Sequence, residues 1–186
     1  MSPQTPHAVT LADPPEPTDH FQGSEHAPVT LLEYGDFECP SCRVAVQTPK
    51  LLLDRFPNRI RFIFRHFPMQ EAHPHALIAA EAAEAAAAQG KFWAMHDLLF
   101  QNQPHLKERD LQRYAGELGL DLARYNAEMD DHIYLQRVRE HADGARRSHV
   151  RTTPGFFLDG VVQDTSYGMQ GLHDAVAAAV RRARLP

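Results

Sequence analysis

The chain contains few cysteines: among 186 residues there are only Cys39 and Cys42. It has no apolar run near the roughly 20 residues that span a bilayer. Its net charge of −5 leaves no basic excess for a nucleic-acid or anionic-membrane surface. These shortages argue against a disulfide-stapled scaffold, a membrane partner and a nucleic-acid partner. With 43% hydrophobic residues the chain is long enough for one domain with its own core, so its cysteines need not hold the fold together.

The N-terminal stretch lacks basic residues. Residues 1–25 contain five prolines and four acidic residues but no lysine or arginine. A secretory signal has a basic start, an apolar stretch and a small-residue cleavage site, and none of these is found. We therefore predict a flexible acidic tail over residues 1–18 and a cytoplasmic location. Because permanent disulfides are rare in the cytoplasm, redox or metal chemistry is the more natural role for a C-x-x-C pair.

The apolar pattern predicts an α/β core interrupted by helices. A β-prone run at 29–34 ends at a Gly-Asp turn, and helical spacing follows it, with Pro49 predicting a kink. Alternation over 58–68 predicts a second strand, whereas the pattern from 73 to 148 is helical throughout. A hairpin signal at Asp159-Gly160 and an arginine-ended amphipathic helix close the chain. The predicted fold class is α/β with an all-helical insertion.

The two cysteines stand where a strand passes into a helix. Cys39 falls at the first helical turn, where unpaired N–H groups and the helix dipole stabilise an anion. We therefore expect a lowered pKa for Cys39 and predict that its thiolate is the nucleophile. Cys42 lies one turn further on and is expected to resolve a mixed disulfide. Pro40 stiffens the ring between them, and Ser41 can offer a hydroxyl near the Cys39 sulfur.

Other roles for the pair are open on the sequence. A structural zinc site needs four ligands, and no second cysteine pair is present. His66, His73 and His75 could supply the missing ligands, although their spacing fits no standard zinc finger. A chaperone-like peptide-binding module with incidental thiols is the other alternative.

Three separated segments carry a family resemblance. Residues 19–42, "DHFQGSEHAPVTLLEYGDFECPSC", resemble the opening of the DsbA-like branch of the thioredoxin superfamily. Residues 90–103, "GKFWAMHDLLFQNQ", resemble a segment of that branch's helical insert, and "TTPGFFLDG" at 152–160 resembles its loop before a strand. The resemblance implies a thioredoxin-like fold with a DsbA-like helical insertion. It divides the chain into a thioredoxin-like domain, 19–72 and 149–186, and an insert, 73–148.

The resemblance also implies roles for three residues. Pro154 matches a proline that is cis and faces the active-site disulfide in thioredoxin-like proteins. Thr153 before it would offer backbone groups to an extended substrate peptide, as an added strand. Glu33 matches a buried acid, whose raised pKa would suit it to relay the proton of Cys42.

The activity predicted is dithiol–disulfide exchange with cysteine-containing proteins or peptides, without a cofactor or a bound metal. A thiol reductant or oxidant such as glutathione or a thioredoxin system would be the redox partner. Strongly oxidising members of the branch have Pro-His between their cysteines, so Pro40-Ser41 predicts a less oxidising couple. Asp36 and Glu38 flank the motif, and we expect them to be exposed and to oppose the Cys39 thiolate modestly.

Overall fold

The structure is a computed structural model that describes residues 9–183. It has five strands: β1 (His20–Gly23), β2 (Val29–Gly35), β3 (Ile60–His66), β4 (Gly155–Leu158) and β5 (Val161–Gln163). Its helices in the described residues are α1 (Pro40–Ala45), α2 (Gln47–Arg55), α3 (Ala76–Ala87), α4 (Phe92–Gln101), α5 (Glu108–Glu117), α6 (Leu122–Asp130), α7 (Leu135–Arg147) and α8 (Gln170–Arg182). None of the helices in this part of the chain is both long and apolar enough to cross a membrane.

The strands form one mixed sheet in the order β1-β3-β2-β4-β5. The central strand β2 runs parallel to β3 and antiparallel to β4. Both faces of the sheet are covered. Leu31 of β2 belongs to a core cluster that includes insert helices and α8, whereas Leu32 packs on the other face with residues of α7. Burial on both faces explains why β2 reads as a continuous apolar run rather than as an alternating one.

The five helices α3–α7 all lie between β3 and β4. The α/β core with an all-helical insertion is therefore confirmed, while the residue limits drawn for its parts stay predictions. Pro49 acts as expected: the helix after the cysteines breaks at Val46, which ends α1 and precedes α2. The missing N–H of Pro49 is the one that would have bonded the Ala45 carbonyl oxygen.

The predicted flexible tail does not hold for residues 9–18; residues 1–8 lie outside the described part. Thr10 forms a bridge with Val161 at the edge of the sheet. Further along, the Arg65 guanidinium donates to the carbonyl oxygens of Asp13 and Pro14, at 2.8 and 2.9 Å. It also forms an ion pair with Asp19, in which both side chains are buried. A buried guanidinium needs acceptors on several sides, and this segment supplies them. We call residues 9–19 the strap.

Candidate active site at the start of the first helix

The sheet and the first helix position both cysteines. Strand β2 ends at Gly35, where a Cβ atom would overlap the Phe64 ring of β3, so glycine leaves the space into which this ring packs. A turn follows, in which the N–H of Cys39 donates to the carbonyl oxygen of Asp36 at 3.1 Å. Cys39 then caps α1 with an extended backbone, and Pro40 occupies the first turn, where no N–H is required.

The two thiols lie in different environments. Both are free, but Cys39 keeps 6% of its surface exposed, whereas Cys42 is fully buried. The pKa of Cys39 is lowered to about 5, mainly by a hydrogen bond from the Cys42 thiol. Burial opposes this shift, whereas the Thr153 side chain and hydrogen bonds from the N–H groups of Cys42 and Ser41 add to it. Burial is the main reason why the pKa of Cys42 is raised well above its usual value. One sulfur is therefore an anion at neutral pH and the other a thiol.

The loop before β4 faces the thiols. Strand β4 pairs with β2 so that Gly155 lies opposite Tyr34, which brings the preceding residues to the end of the sheet that carries the cysteines. The Thr153–Pro154 peptide bond is cis. The carbonyl oxygen of Thr153 lies 3.4 Å from the Cys39 Sγ and accepts a hydrogen bond from it when Cys39 is protonated. The structure thus brings together residues that are 114 positions apart in the sequence.

Glu33 lies within the central strand, beneath the cysteines. Its side chain is buried, with 2% of the residue exposed, and it lines a narrow cavity with Val46, Pro49 and Trp93. Burial raises the pKa of Glu33 to about 8, and the negative charge of Cys39 adds to the shift. The Glu33 charge in turn contributes to the raised pKa of Cys42. The carboxyl group is therefore electrostatically coupled to both sulfurs.

Asp36 differs from the expectation. It is 2% exposed rather than solvent-facing. Its Oδ1 accepts from the N–H of Glu38 at 2.8 Å, and its Oδ2 accepts from the N–H of Met69 and from Nδ1 of His73, each at 2.8 Å. A carboxylate can be buried beside the motif because three donors replace its water. Glu38, by contrast, is half-buried and pairs with His75.

Two contacts at the motif have no signal in the sequence. Gln103 donates through Nε2 to the carbonyl oxygens of Phe37 and Cys39, at 2.9 and 2.8 Å. The Thr153 hydroxyl donates to the sulfur of Met69 at 3.6 Å. Both partners come from segments far from the cysteines in the chain, and neither belongs to a pattern that local periodicity could reveal.

Each of the three histidines considered as zinc ligands interacts with a different carboxylate. His73 pairs with Asp36 and His75 with Glu38, whereas His66 bonds Glu84. Within residues 9–183, the one group of three possible metal ligands is His66, Glu84 and His141, and it includes neither cysteine. Glu84 already accepts hydrogen bonds from His20 and His66 and pairs with Arg137. We interpret this group as a buried ion-pair network between the sheet and the insert.

Comparisons with known proteins agree with the fold. A family model described as Thioredoxin matches residues 15–178. The structure is similar to oxidised BdbD from Bacillus subtilis, with a TM-score of 0.82, 22% identity, and 94% of this chain and 98% of the other covered. It is also similar to a thioredoxin-like oxidoreductase from Silicibacter pomeroyi DSS-3, with a TM-score of 0.74, 29% identity, and 91% and 94% of the two chains covered. The predicted DsbA-like thioredoxin fold is confirmed.

Two curated relatives are named as Na⁺/H⁺ antiporters. The chain is 46% identical over 178 residues to a Na⁺/H⁺ antiporter, NhaA 1, of Salinispora arenicola, which covers 95% of this chain and 27% of the relative. It is 40% identical over 175 residues to the antiporter NhaA of Herminiimonas arsenicoxydans, covering 94% of this chain and 28% of the relative. The chain therefore spans just over a quarter of the length of these two relatives.

Proposed function

The chain belongs to the thioredoxin family, and we propose that it is an enzyme that exchanges disulfides with polypeptide substrates through Cys39 and Cys42. The observation that carries the proposal is the difference between the two thiols. Cys39 is slightly exposed and its pKa is lowered to about 5, while Cys42 is buried and its pKa is raised. Such a pair separates a nucleophile from a resolving thiol.

In the first step the Cys39 thiolate attacks one sulfur of a substrate disulfide. A bond forms between Cys39 and that sulfur, the substrate S–S bond breaks, and the other substrate sulfur leaves as a thiolate that takes a proton from water. The hydrogen bond from the Cys42 thiol and the N–H groups at the start of α1 stabilise the attacking anion.

In the second step Cys42 resolves the mixed disulfide. Its thiol loses a proton, its sulfur bonds Cys39, and the substrate leaves with its second sulfur reduced. The substrate has gained two electrons, and the enzyme holds a Cys39–Cys42 disulfide. The ionised form of Glu33 can accept this proton, and because burial raises its pKa to about 8, it is a stronger base than an ordinary carboxylate. The reverse sequence oxidises a substrate dithiol.

Substrate binding is assigned to the loop at Thr153 and Pro154. Thr153 places its carbonyl oxygen 3.4 Å from the reactive sulfur. An extended peptide that paired with the backbone there would bring its own cysteine against Cys39. The expected substrates are therefore unfolded or flexible cysteine-containing segments.

The reduction potential of the enzyme depends on how strongly the protein stabilises the Cys39 thiolate. A pKa near 5 lies between about 7 for thioredoxin and about 3.5 for the strongest periplasmic oxidase. We therefore place the potential between roughly −270 and −120 mV, which agrees with the less oxidising couple expected from Pro40 and Ser41. Glutathione or a thioredoxin system in the cytoplasm would then serve as the redox partner.

The proposal is tested by insulin reduction with two cysteine variants. The wild-type protein should accelerate the reaction in the presence of glutathione. Cys39→Ser should fall to the uncatalysed rate, while Cys42→Ser should accumulate a mixed disulfide at Cys39 that mass spectrometry detects. Activity that survives Cys39→Ser would instead support a chaperone-like binding module. Stoichiometric zinc or iron that is lost in both variants would support a metal site at the motif.

A further inference from the structure

The loop between β3 and α3 lies against the active-site turn. Because β2 and β3 are parallel, Gly35 and His66 lie opposite each other and both strands end at the same edge of the sheet. The N–H of Phe67 donates to the carbonyl oxygen of Gly35 at 2.8 Å, which continues the pairing beyond β3. The residues that follow β3 therefore reach the cysteine motif.

Asp36 fastens this loop to the motif. Its carboxylate accepts from the N–H of Met69 and from the His73 ring, while its backbone oxygen accepts from the N–H of Cys39. Met69 also accepts a hydrogen bond from the Thr153 hydroxyl. The loop is thus connected to the motif through Asp36 and to the substrate loop through Met69, and the His73 ring is held at the motif by its bond to Asp36.

The surroundings of His73 favour its charged form. Burial works against its charged form, but the hydrogen bond to Asp36 and the negative charges of Asp36, Cys39 and Glu38 outweigh it and raise the pKa of His73. Its side chain keeps 18% of its surface exposed, so its proton can exchange with water. The neighbouring His75 is directed to Glu38, with 2.9 Å between Nδ1 and Oε1.

We propose that His73, held by Asp36, is a redox-tuning residue that supplies the positive charge absent from the Pro-Ser pair and so stabilises the Cys39 thiolate. The charged groups that face it are Asp36, Cys39 and Glu38. The Asp36 carboxylate keeps its negative charge, so the protonated His73 acts on Cys39 by offsetting the repulsion between that carboxylate and the thiolate. This inference rests on the proposed function, because it concerns the reactivity of the same thiolate.

The variant His73→Gln tests the proposal, since its amide can still donate to Asp36 but carries no charge. His75→Gln is the matched control from the same loop. Thiolate absorbance at 240 nm should show the Cys39 midpoint of His73→Gln raised by about half to one pH unit. The equilibrium constant for oxidation of substrates in glutathione buffers should fall about three- to tenfold at neutral pH. His75→Gln should stay within about twofold of the wild type.

The pH dependence separates a charge effect from a structural one. The difference between wild type and His73→Gln should shrink at alkaline pH, where the His73 imidazole is neutral. A difference of equal size at every pH, or none beyond that of His75→Gln, would overturn the proposal. A second measurement needs no change at His73: its NMR titration midpoint should fall in Cys39→Ser, and an unchanged midpoint would also overturn it. If the wild type itself shows no thiolate and no exchange, it is the proposed function that fails.

Discussion

At the scale of single residues, burial determines the chemistry of the site. Glu33, Cys39 and Cys42 lie within a few residues of each other in sequence, yet the pKa is raised for two of them and lowered for the third. The difference follows from what surrounds each group. Glu33 and Cys42 lose their water without gaining a compensating charge, whereas Cys39 gains hydrogen-bond donors at a helix start. A raised carboxyl pKa has a cost in stability that can be measured.

Glu33→Gln should stabilise the protein in a pH-dependent way. Below pH 4.5 Glu33 is protonated in both the folded and unfolded states. Between 4.5 and about 8 only the unfolded state ionises, so wild-type stability falls with rising pH. The variant should gain about 1.4 kcal/mol per pH unit over this range, or about 3 kcal/mol at pH 7, in urea unfolding. The resolution of a Cys39–glutathione mixed disulfide should slow by about 100-fold or more.

Glu38→Gln is the control for this variant. It removes a carboxylate that lies closer to the motif in sequence but is only half-buried and paired with His75. Neither the pH slope of its stability nor the resolution rate should differ much from the wild type. If Glu33→Gln showed the same pH slope as the wild type, the pKa of Glu33 would not be raised in the folded protein, and its carboxylate would be too weak a base for the proposed proton transfer.

At the level of strands and loops, strand pairing brings together residues whose proximity local sequence patterns do not show. The parallel pair β2 and β3 brings the loop with His73 to the cysteines, and the antiparallel pair β2 and β4 brings Thr153. The strap is held in a similar way, because Arg65 of β3 is 4% exposed and needs the Asp19 carboxylate. A short proline-containing segment thereby becomes part of the packed structure.

Two aspartates of the strap should differ in how much they contribute to the stability of the protein. Asp19→Asn should destabilise the protein by about 3–5 kcal/mol, since it leaves a buried guanidinium without its counter-charge. Asp13→Asn removes a carboxylate from an exposed pair with Arg147 and should cost less than about 1 kcal/mol. Guanidinium chloride unfolding of the two variants makes the comparison. Equal effects would mean that the carbonyl contacts, rather than the Asp19 ion pair, hold Arg65.

At the scale of the whole molecule, the sheet and the insert are joined by a buried network of charges. Glu84 of α3 contacts His20 of β1, His66 of β3 and Arg137 of α7. These contacts link two sheet strands to two insert helices. The loops at the two cysteines extend from the same sheet, so we expect the redox state of the thiols to affect the stability of the entire molecule.

The stability of the reduced protein should increase with pH relative to the oxidised protein. In the reduced folded state Cys39 ionises with a pKa of about 5, but in the unfolded state only near 9. The unfolded chain therefore binds more protons between these values, so the stability of the reduced form rises with pH by about 1.4 kcal/mol per pH unit and is lost towards pH 5. Urea unfolding of both forms from pH 5 to 8 measures the difference. A pH-independent difference would contradict a lowered pKa at Cys39.

The main elements and the position of the two cysteines could be predicted from the sequence. Val29–Gly35, the helix after it and the insert follow from apolar periodicity, and the place of Cys39 at a helix start follows from its position after a strand. These are local properties, in which each residue's neighbours along the chain decide the outcome. Glu33, Thr153 and Pro154 came from family resemblance, since no spacing could place them beside the cysteines.

The surroundings of the candidate site, in contrast, depend on contacts that form only in the folded chain. Asp36 looked exposed because charged residues beside a turn usually are, yet donors from Met69 and His73 bury it. The strap looked flexible because it is acidic and rich in proline, yet Arg65 holds it. In each case the deciding contact joins residues more than 30 positions apart. Their burial free energy and hydrogen bonds exist only once the chain has folded, so no local pattern encodes them.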